Sequence, residues 1–510
     1  MQTAPLDTWQ TAERDLGEGR RDDARAAYLA LSDNPAFAAL AQLRLSLIAS
    51  ADGRGRDAVA HALAAGQAHI EDPDIIEMVC KRLLTLGEAQ AAVALARAPA
   101  VSLSKRPGPL AQLGRTMIDY TQPQAALRAL RTARSRGWDS ARIRCFIGIA
   151  EHQLGNDDAA EGELEAALEG GGDFPRAARA LSSLRKQTPE RNHVEALRAS
   201  IARLGDTHAD VAQLYYALFK ELDDLDDTEA AWQALDTGMR LRRAQVHYDG
   251  AAEQALFDHL QRLKVEPGTH TESEGPMPVF VVGLPRSGTA LLERFLAGHD
   301  RIANAGELRD VVYQMRWMCD APGGPNLDLA LAQRADAITD WAELGERYLD
   351  HTRWRATRAD GNAPACYLDT QSANFLNLGY IVRALPNARI VHMIRDPMDT
   401  CFSNLKELFA SASPHTYDQE EMADHYKRYR QLMAHWTAMF PGRIHQVRYA
   451  DLVNEPEGTT RALLEHLGLP WQAGIDDVAS LRAQGRWRRY EEHLAPLRQR
   501  LGSYAYSARS

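Results

Sequence analysis

The chain has 510 residues, of which 45% are hydrophobic and 25% charged, and its net charge at neutral pH is −10. Such values are typical of globular proteins with about two to four domains, and the negative charge argues against a general nucleic-acid binder. No apolar run approaches the ~18–20 residues of a membrane-spanning helix, so we predict no membrane span.

The first residues, Met1 to Arg14, contain neither a basic start nor an apolar stretch, and we predict no secretory signal there. The five cysteines are scattered along the chain without paired or metal-ligand spacing. This use of cysteine favours a reducing compartment. We therefore expect a cytoplasmic protein without disulfides and without a metal site.

The first half of the chain is predicted to be an array of helical repeats. Alanine recurs near the starts of comparable predicted helices, often after a Leu-Gly pair. These alanines are Ala24, Ala58, Ala91, Ala125 and Ala159, with spacings of 34, 33, 34 and 34. A period near 34 with small residues where helices cross is typical of tetratricopeptide repeats. The pattern is weak over residues 188–205 and returns over 222–235.

Stacked helical repeats present a concave groove that suits peptides and extended chains. We therefore predict an all-α repeat domain over residues 1–262 that binds a protein or peptide partner. A helix pair around residues 228–262 is expected to close the array and to pack on the next domain. A Pro- and Gly-rich linker is predicted over residues 263–277. The sequence leaves homo-oligomerisation open.

The most informative segment is residues 278–296, where an apolar strand, a glycine-bounded loop and a helix with apolar residues at helical spacing follow one another. In such an arrangement the loop amides and the helix dipole face an anion. Arg286 adds a positive charge, while Ser287, Gly288 and Thr289 add hydroxyl and amide donors. The segment predicts a phosphate site in a P-loop-like α/β domain.

This loop is not a Walker A loop, because Thr289 follows Gly288 where that motif requires lysine. The loop therefore suits a phosphate but is poorly equipped for ATP hydrolysis. A small-molecule kinase is one alternative, and it is disfavoured by the missing lysine and by the lack of a convincing Mg²⁺ carboxylate after a second strand. An ordinary turn between strand and helix is another alternative for this loop taken alone.

A second block, residues 388–397, again predicts a buried strand that ends in polar residues. Arg395 stands at the end of this strand, and Ser403 follows about two helical turns later. A guanidinium group together with a hydroxyl suits a phosphate monoester.

Together the two blocks resemble the sulfotransferases that use 3′-phosphoadenosine-5′-phosphosulfate (PAPS), most nearly the tyrosylprotein sulfotransferases and bacterial sulfotransferases with tetratricopeptide repeats. The resemblance covers about residues 278–500. It implies an α/β transferase domain with a parallel central sheet, which we place at residues 278–510. It also implies that the first loop binds the 5′-phosphosulfate and that Arg395 and Ser403 hold the 3′-phosphate.

Two later segments fit the same resemblance. Tyr449 begins a Tyr-x-Asp-Leu-Val pattern after a predicted strand and resembles the late strand and loop of the family. Residues 485–490 resemble the segment that covers the nucleotide, in which Arg486, Trp487 and Arg488 are expected to grip a phosphate and face the adenine. An ordinary basic surface turn is the alternative for this segment.

Sulfuryl transfer needs a base for the acceptor proton, a cation for the leaving phosphate, and positioning of both partners. The resemblance implies that Glu307, in an Ala-Gly-Glu-Leu-Arg context, is the base. Arg286 is the first candidate for the leaving charge, and His299 is a second candidate for the base. Their alternative roles are structural: Glu307 would cap a helix or pair with Arg309, and His299 would stabilise a helix end.

One departure from the family concerns the lysine that stabilises the bridging oxygen. The matching segment is residues 369–375, in which Thr370 replaces that lysine and Ser372 replaces a proline. A neutral hydroxyl cannot replace a charge in a desolvated site. Either Arg286 or Arg486 supplies the missing charge, or transfer is slow, or the site has become a nucleotide-binding relic.

The sequence therefore predicts a PAPS-dependent sulfotransferase that acts on an acceptor hydroxyl, with the tyrosine of a protein or peptide bound by the repeats as the expected acceptor. The alternative is a non-catalytic repeat scaffold whose degenerate domain still binds PAPS or its product.

Overall fold

The computed structural model describes residues 5–169, 174–266, 268, 275–358, 360–409, 413–472 and 484–506. The chain divides into two compact units. The first comprises Met1–Asp226 and Arg316–Pro325, and the second comprises Asp227–Met315 and Asn326–Ser510. Among the described residues, no helix combines the length and the apolar character needed to cross a membrane.

The first unit is a run of helices in which successive helices pair. Helices α1 to α14 span Pro5–Gly17, Arg21–Leu31, Ala38–Ala51, Gly55–Gln67, Pro73–Thr85, Ala89–Leu95, Pro99–Leu103, Pro107–Asp119, Pro123–Ser135, Ala141–Gln153, Asp157–Glu169, Pro175–Leu184, Val194–Leu204 and Val211–Asp224. The expected all-α repeat architecture of tetratricopeptide type is confirmed for this region.

Small buried residues recur every 34 positions where the paired helices meet. The first helices of the pairs contribute Ala12, Ser46, Cys80, Gly114 and Gly148, and the second helices contribute Ala24, Ala58, Ala92, Ala126 and Ala160. All five alanines of the second set are fully buried. The sequence prediction named Ala91, Ala125 and Ala159, each one residue too early, and the corrected set has a uniform period.

The contacts explain why these positions need small side chains. The Ser46 hydroxyl donates to the carbonyl oxygen of Ala58 at 2.6 Å. A Cβ atom added at Gly148 would lie 3.1 Å from the carbonyl oxygen of Ala160 and 2.6 Å from a Leu164 side-chain carbon. A larger residue at either position would push the two backbones apart.

The second unit contains a five-stranded sheet within the described part of the chain, in the order β2-β3-β1-β4-β5. All four neighbouring pairs are parallel. Strands β1 to β5 span Met277–Val282, Ile302–Asn304, Cys366–Asp369, Arg389–Ile394 and Ile444–Arg448. The expected parallel central sheet is confirmed.

Helices surround this sheet. Helices α15 to α26 span Thr228–Gln245, Gly250–Arg262, Thr289–Ala297, Asp310–Met318, Leu329–Ala335, Trp341–Thr352, Leu378–Ala384, Pro397–Leu405, Gln419–Met439, Tyr449–Asn454, Pro456–Leu467 and Ala495–Leu501. Short 3₁₀ helices span Arg353–Arg355, Ser372–Asn377, Pro414–Tyr417, Arg486–Tyr490 and Gly502–Tyr506.

Strand β1 shows why the sheet is covered on both faces. Val279 and Val281 belong to one buried cluster with the apolar residues of α17 and α25. Phe280 points to the opposite face, where its ring centroid lies 5.4 Å from that of Tyr348 in α20. A strand buried on both faces reads as a continuous apolar run, as residues 278–282 do. The carboxyl ends of the parallel strands share one edge of the sheet, where such folds bind ligands.

Helices α15 and α16 group with the second unit, so the compact units divide at Asp226 and not at the predicted limit of 262. Arg243 of α15 forms a bidentate ion pair with Glu421 of α23 at 2.8 Å. Phe257 of α16 lies against Phe375, with 6.2 Å between ring centroids. The expected packing of this helix pair on the C-terminal fold is therefore seen. The domain limits at 262 and 278 stay a prediction, because compactness alone does not define a domain.

Candidate active site

The loop between β1 and α17 takes a backbone form that its glycine makes possible. Gly288 precedes the helix with φ at +113°, and a Cβ atom there would lie 2.5 Å from Cδ2 of Tyr449. Arg286 also has a positive φ of 66°, which is uncommon for a residue with a side chain. Helix α17 then begins at Thr289, so its free amides face the loop as a phosphate site requires.

Ser287 is the buried hydroxyl of this loop. Its side chain is 2% exposed, and its Oγ has no hydrogen-bond partner among the described residues. A buried hydroxyl without a partner costs free energy, so such a group is usually satisfied by a ligand or water. The position of Ser287 at the start of α17 fits an oxygen of a bound phosphate.

Arg395, at the end of β4, joins the two predicted anion-binding blocks. Its guanidinium donates to the carbonyl oxygen of Arg286 at 3.2 Å. The same group lies 4.7 Å from the centroid of the Tyr449 ring, which places a cation over an aromatic face. The structure therefore brings Arg286, Arg395 and Tyr449 together, although more than fifty residues separate each from the next in sequence.

Helix α22 supports the same site. Its Ser403 is 8% exposed, and the side-chain amide of Asn404 donates to the carbonyl oxygen of Pro285 at 2.8 Å. Just after the helix, a carboxylate oxygen of Glu407 lies 3.9 Å from the guanidinium of Arg286. Asn404 and Glu407 were not predicted from the sequence, since nothing local marks their contacts with a loop far away in the chain.

The segment Gly485–Tyr490, called here the covering segment, docks on α22. The Gly485 N–H donates to a carboxylate oxygen of Asp399 at 2.7 Å, and the Tyr490 ring lies 5.0 Å from that of Phe402. Arg486 and Arg488 are exposed, whereas Trp487 is half-buried. The indole Nε1 of Trp487 is buried without a hydrogen-bond partner within the described ranges.

Glu307 lies in a turn that is held to the end of β3. The Gly306 carbonyl oxygen accepts from the N–H of Thr370 at 3.0 Å, and the Leu308 N–H donates to Asp369 at 3.2 Å. Desolvation by the surrounding protein raises the pKa of the Glu307 carboxyl, Arg309 lowers it, and Glu293 raises it further. Glu307 nevertheless keeps a large solvent-exposed surface, so solvent reduces the size of this rise in its pKa.

Residues 278–473 match the model of the sulfotransferase family. Residues 278–473 are therefore a segment of the sulfotransferase type. The loop after β1 and the strand β4 with Arg395 both lie within the matched residues, whereas the covering segment lies beyond them.

Curated relatives cover this domain to different extents. Protein-tyrosine sulfotransferase 1 of Danio rerio is 25% identical over 203 residues, which are 39% of this chain and 54% of that protein. An uncharacterized protein of Aquifex aeolicus is 27% identical over 320 residues, or 55% of this chain and 40% of its own. The omega-hydroxy-beta-dihydromenaquinone-9 sulfotransferase Stf3 of Mycobacterium tuberculosis is 30% identical over 97 residues, which are 18% of this chain and 25% of that protein. The chain thus spans about half the length of these relatives or less.

Solved structures show remote likenesses to both halves. A tetratricopeptide repeat protein of Parabacteroides merdae has a TM-score of 0.32 at 16% identity, covering 46% of this chain and 93% of its own. The sulfotransferase domain of the Synechococcus PCC 7002 olefin synthase has a TM-score of 0.29 at 17% identity, covering 42% of this chain and 82% of its own. Because both TM-scores are below 0.5, neither likeness informs the geometry of the site.

Asp369 is a buried carboxylate of the sulfotransferase domain that sequence reasoning did not single out. It is fully buried at the end of β3 and accepts from the Tyr348 hydroxyl at 2.9 Å and from the Asn374 amide at 3.1 Å. The N–H groups of Leu308 and Gln371 donate to its other oxygen. Burial raises the pKa of Asp369 to about 7, and these donors oppose the rise. The residue ties the Glu307 turn to the core.

Thr370, which is predicted from the sequence resemblance to occupy the position of the family lysine, is 3% exposed and lies beside Glu307 through its hydrogen bond to Gly306. A threonine there gives the site no positive charge. That Arg286 or Arg486 replaces the missing cation stays a prediction.

His299 lies away from the other predicted residues. It precedes β2 and so stands at the amino ends of the parallel strands, opposite to the edge that carries Arg395. Its ring is fully buried; Nδ1 accepts from the Arg301 N–H at 3.1 Å, and Nε2 faces the carbonyl oxygen of Pro470 at 3.0 Å. A histidine with both nitrogens engaged is not placed to act as a base, so the structure corrects this prediction and favours a structural role.

A group of potential metal ligands lies elsewhere in the second unit. The ligand atoms of Glu253, His415 and His425 lie within 4.8 Å of one another. One Glu253 oxygen pairs with His425 at 2.9 Å, and the other accepts from Arg428 at 2.7 Å. The two imidazole rings stack with centroids 3.7 Å apart, so their in-plane lone pairs do not converge on one point. We interpret the group as an ion-paired cluster; the expected absence of a metal stays a prediction.

Proposed function

We propose that the sulfotransferase domain transfers a sulfuryl group from PAPS to an acceptor hydroxyl, with a tyrosine of a protein or peptide as the expected acceptor. The observation that carries this proposal is the meeting of two anion-binding blocks at one edge of the sheet. There the Arg395 guanidinium lies 3.2 Å from the carbonyl oxygen of Arg286, next to the buried hydroxyl of Ser287. Two adjacent anion positions suit a donor that carries phosphate at both its 3′ and 5′ ends.

The residues divide between the two ends of the donor. Ser287, Gly288 and Thr289 are proposed to hold the 5′-phosphosulfate through a hydroxyl and the amides at the start of α17. Arg395 and Ser403 are proposed to hold the 3′-phosphate, because a guanidinium fork matches a phosphate in geometry and charge.

The aromatic and basic groups of the covering segment would complete the pocket. Trp487 is proposed to face the adenine, and its buried indole N–H offers a donor. Arg486 and Arg488 are proposed to contact phosphate, and Tyr449 is proposed to orient Arg395 through the stacked contact of 4.7 Å.

In the transfer step, the acceptor oxygen forms a bond to sulfur while the bond from sulfur to the bridging oxygen of the phosphosulfate breaks. The acceptor proton moves to the Glu307 carboxylate, and 3′,5′-ADP leaves with the electron pair on its terminal oxygen. Arg286 is proposed to stabilise that charge. The raised pKa of Glu307 brings the strength of this base closer to the operating pH, which favours proton transfer.

Thr370 supports a second candidate function. Its neutral side chain is predicted from the resemblance to occupy the position of the family lysine, so the domain would bind PAPS or 3′,5′-ADP without efficient transfer. The acidic turn at Glu307 and the paired blocks at Arg286 and Arg395 support catalysis instead. The two functions share the nucleotide site and differ only in turnover.

The acceptor class is proposed from two observations. The name of the Danio rerio relative specifies protein tyrosine, whereas that of the mycobacterial relative specifies a hydroxylated menaquinone. The helical repeats of the first unit favour the first class, because such arrays present grooves that bind polypeptides. We therefore propose that the repeats bind the acceptor protein.

Two measurements, made one after the other, test the proposal. Calorimetric titration with 3′,5′-ADP, 5′-AMP and ATP should show binding of 3′,5′-ADP in clear preference to the other two. Radiolabelled PAPS should then label tyrosine-containing peptides with the natural protein and far more slowly with Glu307→Gln. Nucleotide binding without any transfer to peptides or cell extract would favour the non-catalytic function, and no binding of 3′,5′-ADP would refute both.

A further inference from the structure

We infer that Asp399 is a positioning residue that couples the 3′-phosphate site to the covering segment, so that a nucleotide bearing a 3′-phosphate orders this segment more than one lacking it. The inference rests on the proposed function, since it assigns the 3′-phosphate to Arg395. Asp399 itself is not placed to contact the nucleotide favourably, because both would be negatively charged.

The first observation is the position of the Asp399 carboxylate. It is 3% exposed, and one of its oxygens accepts the Gly485 N–H at 2.7 Å and lies 4.0 Å from the guanidinium of Arg395. The backbone N–H of Asp399 donates to the carboxylate of Asp396 at 2.9 Å, which fixes the first turn of α22. One oxygen thus faces both a phosphate-binding arginine and the start of the covering segment.

The second observation is that α22 contacts the covering segment again one turn later. Phe402 packs on Tyr490 with 5.0 Å between the ring centroids, and both residues are buried. Ser403, the proposed hydroxyl of the 3′-phosphate site, follows immediately. The helix therefore connects the groups that would hold the 3′-phosphate with two anchor points of the segment that would lie over the nucleotide.

The geometry also separates a positioning role from simple electrostatics. A buried carboxylate near a phosphate repels it, so removal of the charge alone should tighten nucleotide binding. Asp399→Asn removes the charge but keeps an oxygen that can accept the Gly485 N–H. Asp399→Ala removes the charge and the acceptor together and leaves that N–H unpaired. Electrostatics predicts tighter binding for both variants, whereas positioning predicts weaker binding for the alanine variant only.

The variants are tested by calorimetric titration with 3′,5′-ADP. We expect Asp399→Ala to raise the Kd about tenfold and Asp399→Asn to bind at least as tightly as the natural protein. Asp451→Ala, which changes an exposed aspartate just after Tyr449, is the matched control and should leave the Kd unchanged. Equal Kd values for the alanine variant and the natural protein would overturn the inference, as would equal weakening by alanine and asparagine.

A second measurement uses the natural protein alone and so does not depend on the folding of a variant. Hydrogen exchange is followed in a peptide over residues 484–490 at matched saturation with 3′,5′-ADP or 5′-AMP. We expect stronger protection with 3′,5′-ADP, because the 3′-phosphate would fix Arg395 and Ser403, and between them lie Asp399 and Phe402, which contact the covering segment. Equal protection by the two nucleotides would overturn the inference while leaving the proposed function intact. No binding of 3′,5′-ADP at all would overturn both.

Discussion

Replacing Arg395 with alanine tests whether one arginine serves both ends of the nucleotide site. The guanidinium is proposed to hold the 3′-phosphate, and it also donates to the Arg286 carbonyl oxygen at 3.2 Å in the loop proposed to hold the 5′-phosphosulfate. The substitution removes both interactions. Its effect should therefore differ in size between nucleotides with and without a 3′-phosphate, but it should not vanish for either.

The expected magnitudes follow from the two kinds of bond. Loss of the bond to the backbone carbonyl costs about 0.5–1.5 kcal/mol and should weaken 5′-AMP by roughly 2- to 12-fold. Loss of a charge-assisted contact to phosphate costs about 1.5–3 kcal/mol more and should weaken 3′,5′-ADP by a further 10- to 150-fold or so. Arg395→Lys should restore only part of this difference, because an ammonium group cannot offer a planar fork.

The assay is calorimetric titration of both nucleotides into the natural protein, Arg395→Ala and Arg395→Lys. Arg389→Ala provides a matched control, because Arg389 begins the same strand β4 at the opposite edge of the sheet. This control should leave both affinities unchanged. If Arg395→Ala weakened the two nucleotides by the same factor, Arg395 would not bind the 3′-phosphate and the assignment of the site would be refuted.

Three further outcomes are expected. Glu307→Gln should lower the transfer rate by about 10²- to 10⁴-fold and leave the Kd for 3′,5′-ADP unchanged. In the natural protein the transfer rate should rise with pH as Glu307 loses its proton, at a pKa above the usual range of a glutamate, and this rise should be absent in the variant. An equal loss of nucleotide binding would indicate a structural role. The raised pKa of Asp369 stabilises the folded state below about pH 4, and this contribution is lost as the pH rises to about 7. The unfolding free energy measured by urea denaturation should therefore fall over this range by at most about 4 kcal/mol more in the natural protein than in Asp369→Asn. The same pH dependence of the unfolding free energy in both proteins would contradict this. Gly288→Ala should weaken the binding of 3′,5′-ADP at least tenfold by calorimetry, because a φ of +113° costs alanine about 1–2 kcal/mol and the new Cβ would lie against Tyr449. Gly298→Ala, at a φ of −72°, is the control and should leave binding unchanged. Equal effects of the two substitutions would refute this reasoning.

Much of the candidate phosphate-binding edge could be predicted because its signals are local. The loop around Gly288 and the strand before Arg395 each occupy a short stretch of sequence, and the rule that parallel strands end at one edge brings them together. Glu307 lies next to β3, beside Thr370. Its catalytic role is a prediction that the geometry permits and that the transfer assay decides.

The contacts that support the site could not be predicted, because they join distant residues without a local motif. Asn404 reaches the carbonyl of Pro285, and Asp369 collects donors from three separate elements. His299 was misjudged for a related reason: proximity in sequence to Glu307 does not reveal that the two lie at opposite edges of the sheet.

The repeat array was predicted with an error of one residue in three of its alanines. A period alone does not say which of two adjacent alanines faces the partner helix. The matching small residues on the first helices, such as Gly114 and Gly148, would have fixed the phase, because they recur at the same interval and lie opposite Ala126 and Ala160.

The order of the strands has a consequence for how the chain acquires its structure. The hydrogen-bonded neighbours of β1 are β3 and β4, which begin at Cys366 and Arg389, about ninety and more than a hundred residues further along. Closing such long loops carries an entropic cost that local helix pairing avoids. During synthesis the repeats can therefore fold one helix pair at a time. Strand β1, in contrast, keeps its backbone N–H and C=O groups unpaired and its apolar side chains exposed until both partner strands emerge. That interval is when this protein is most exposed to aggregation.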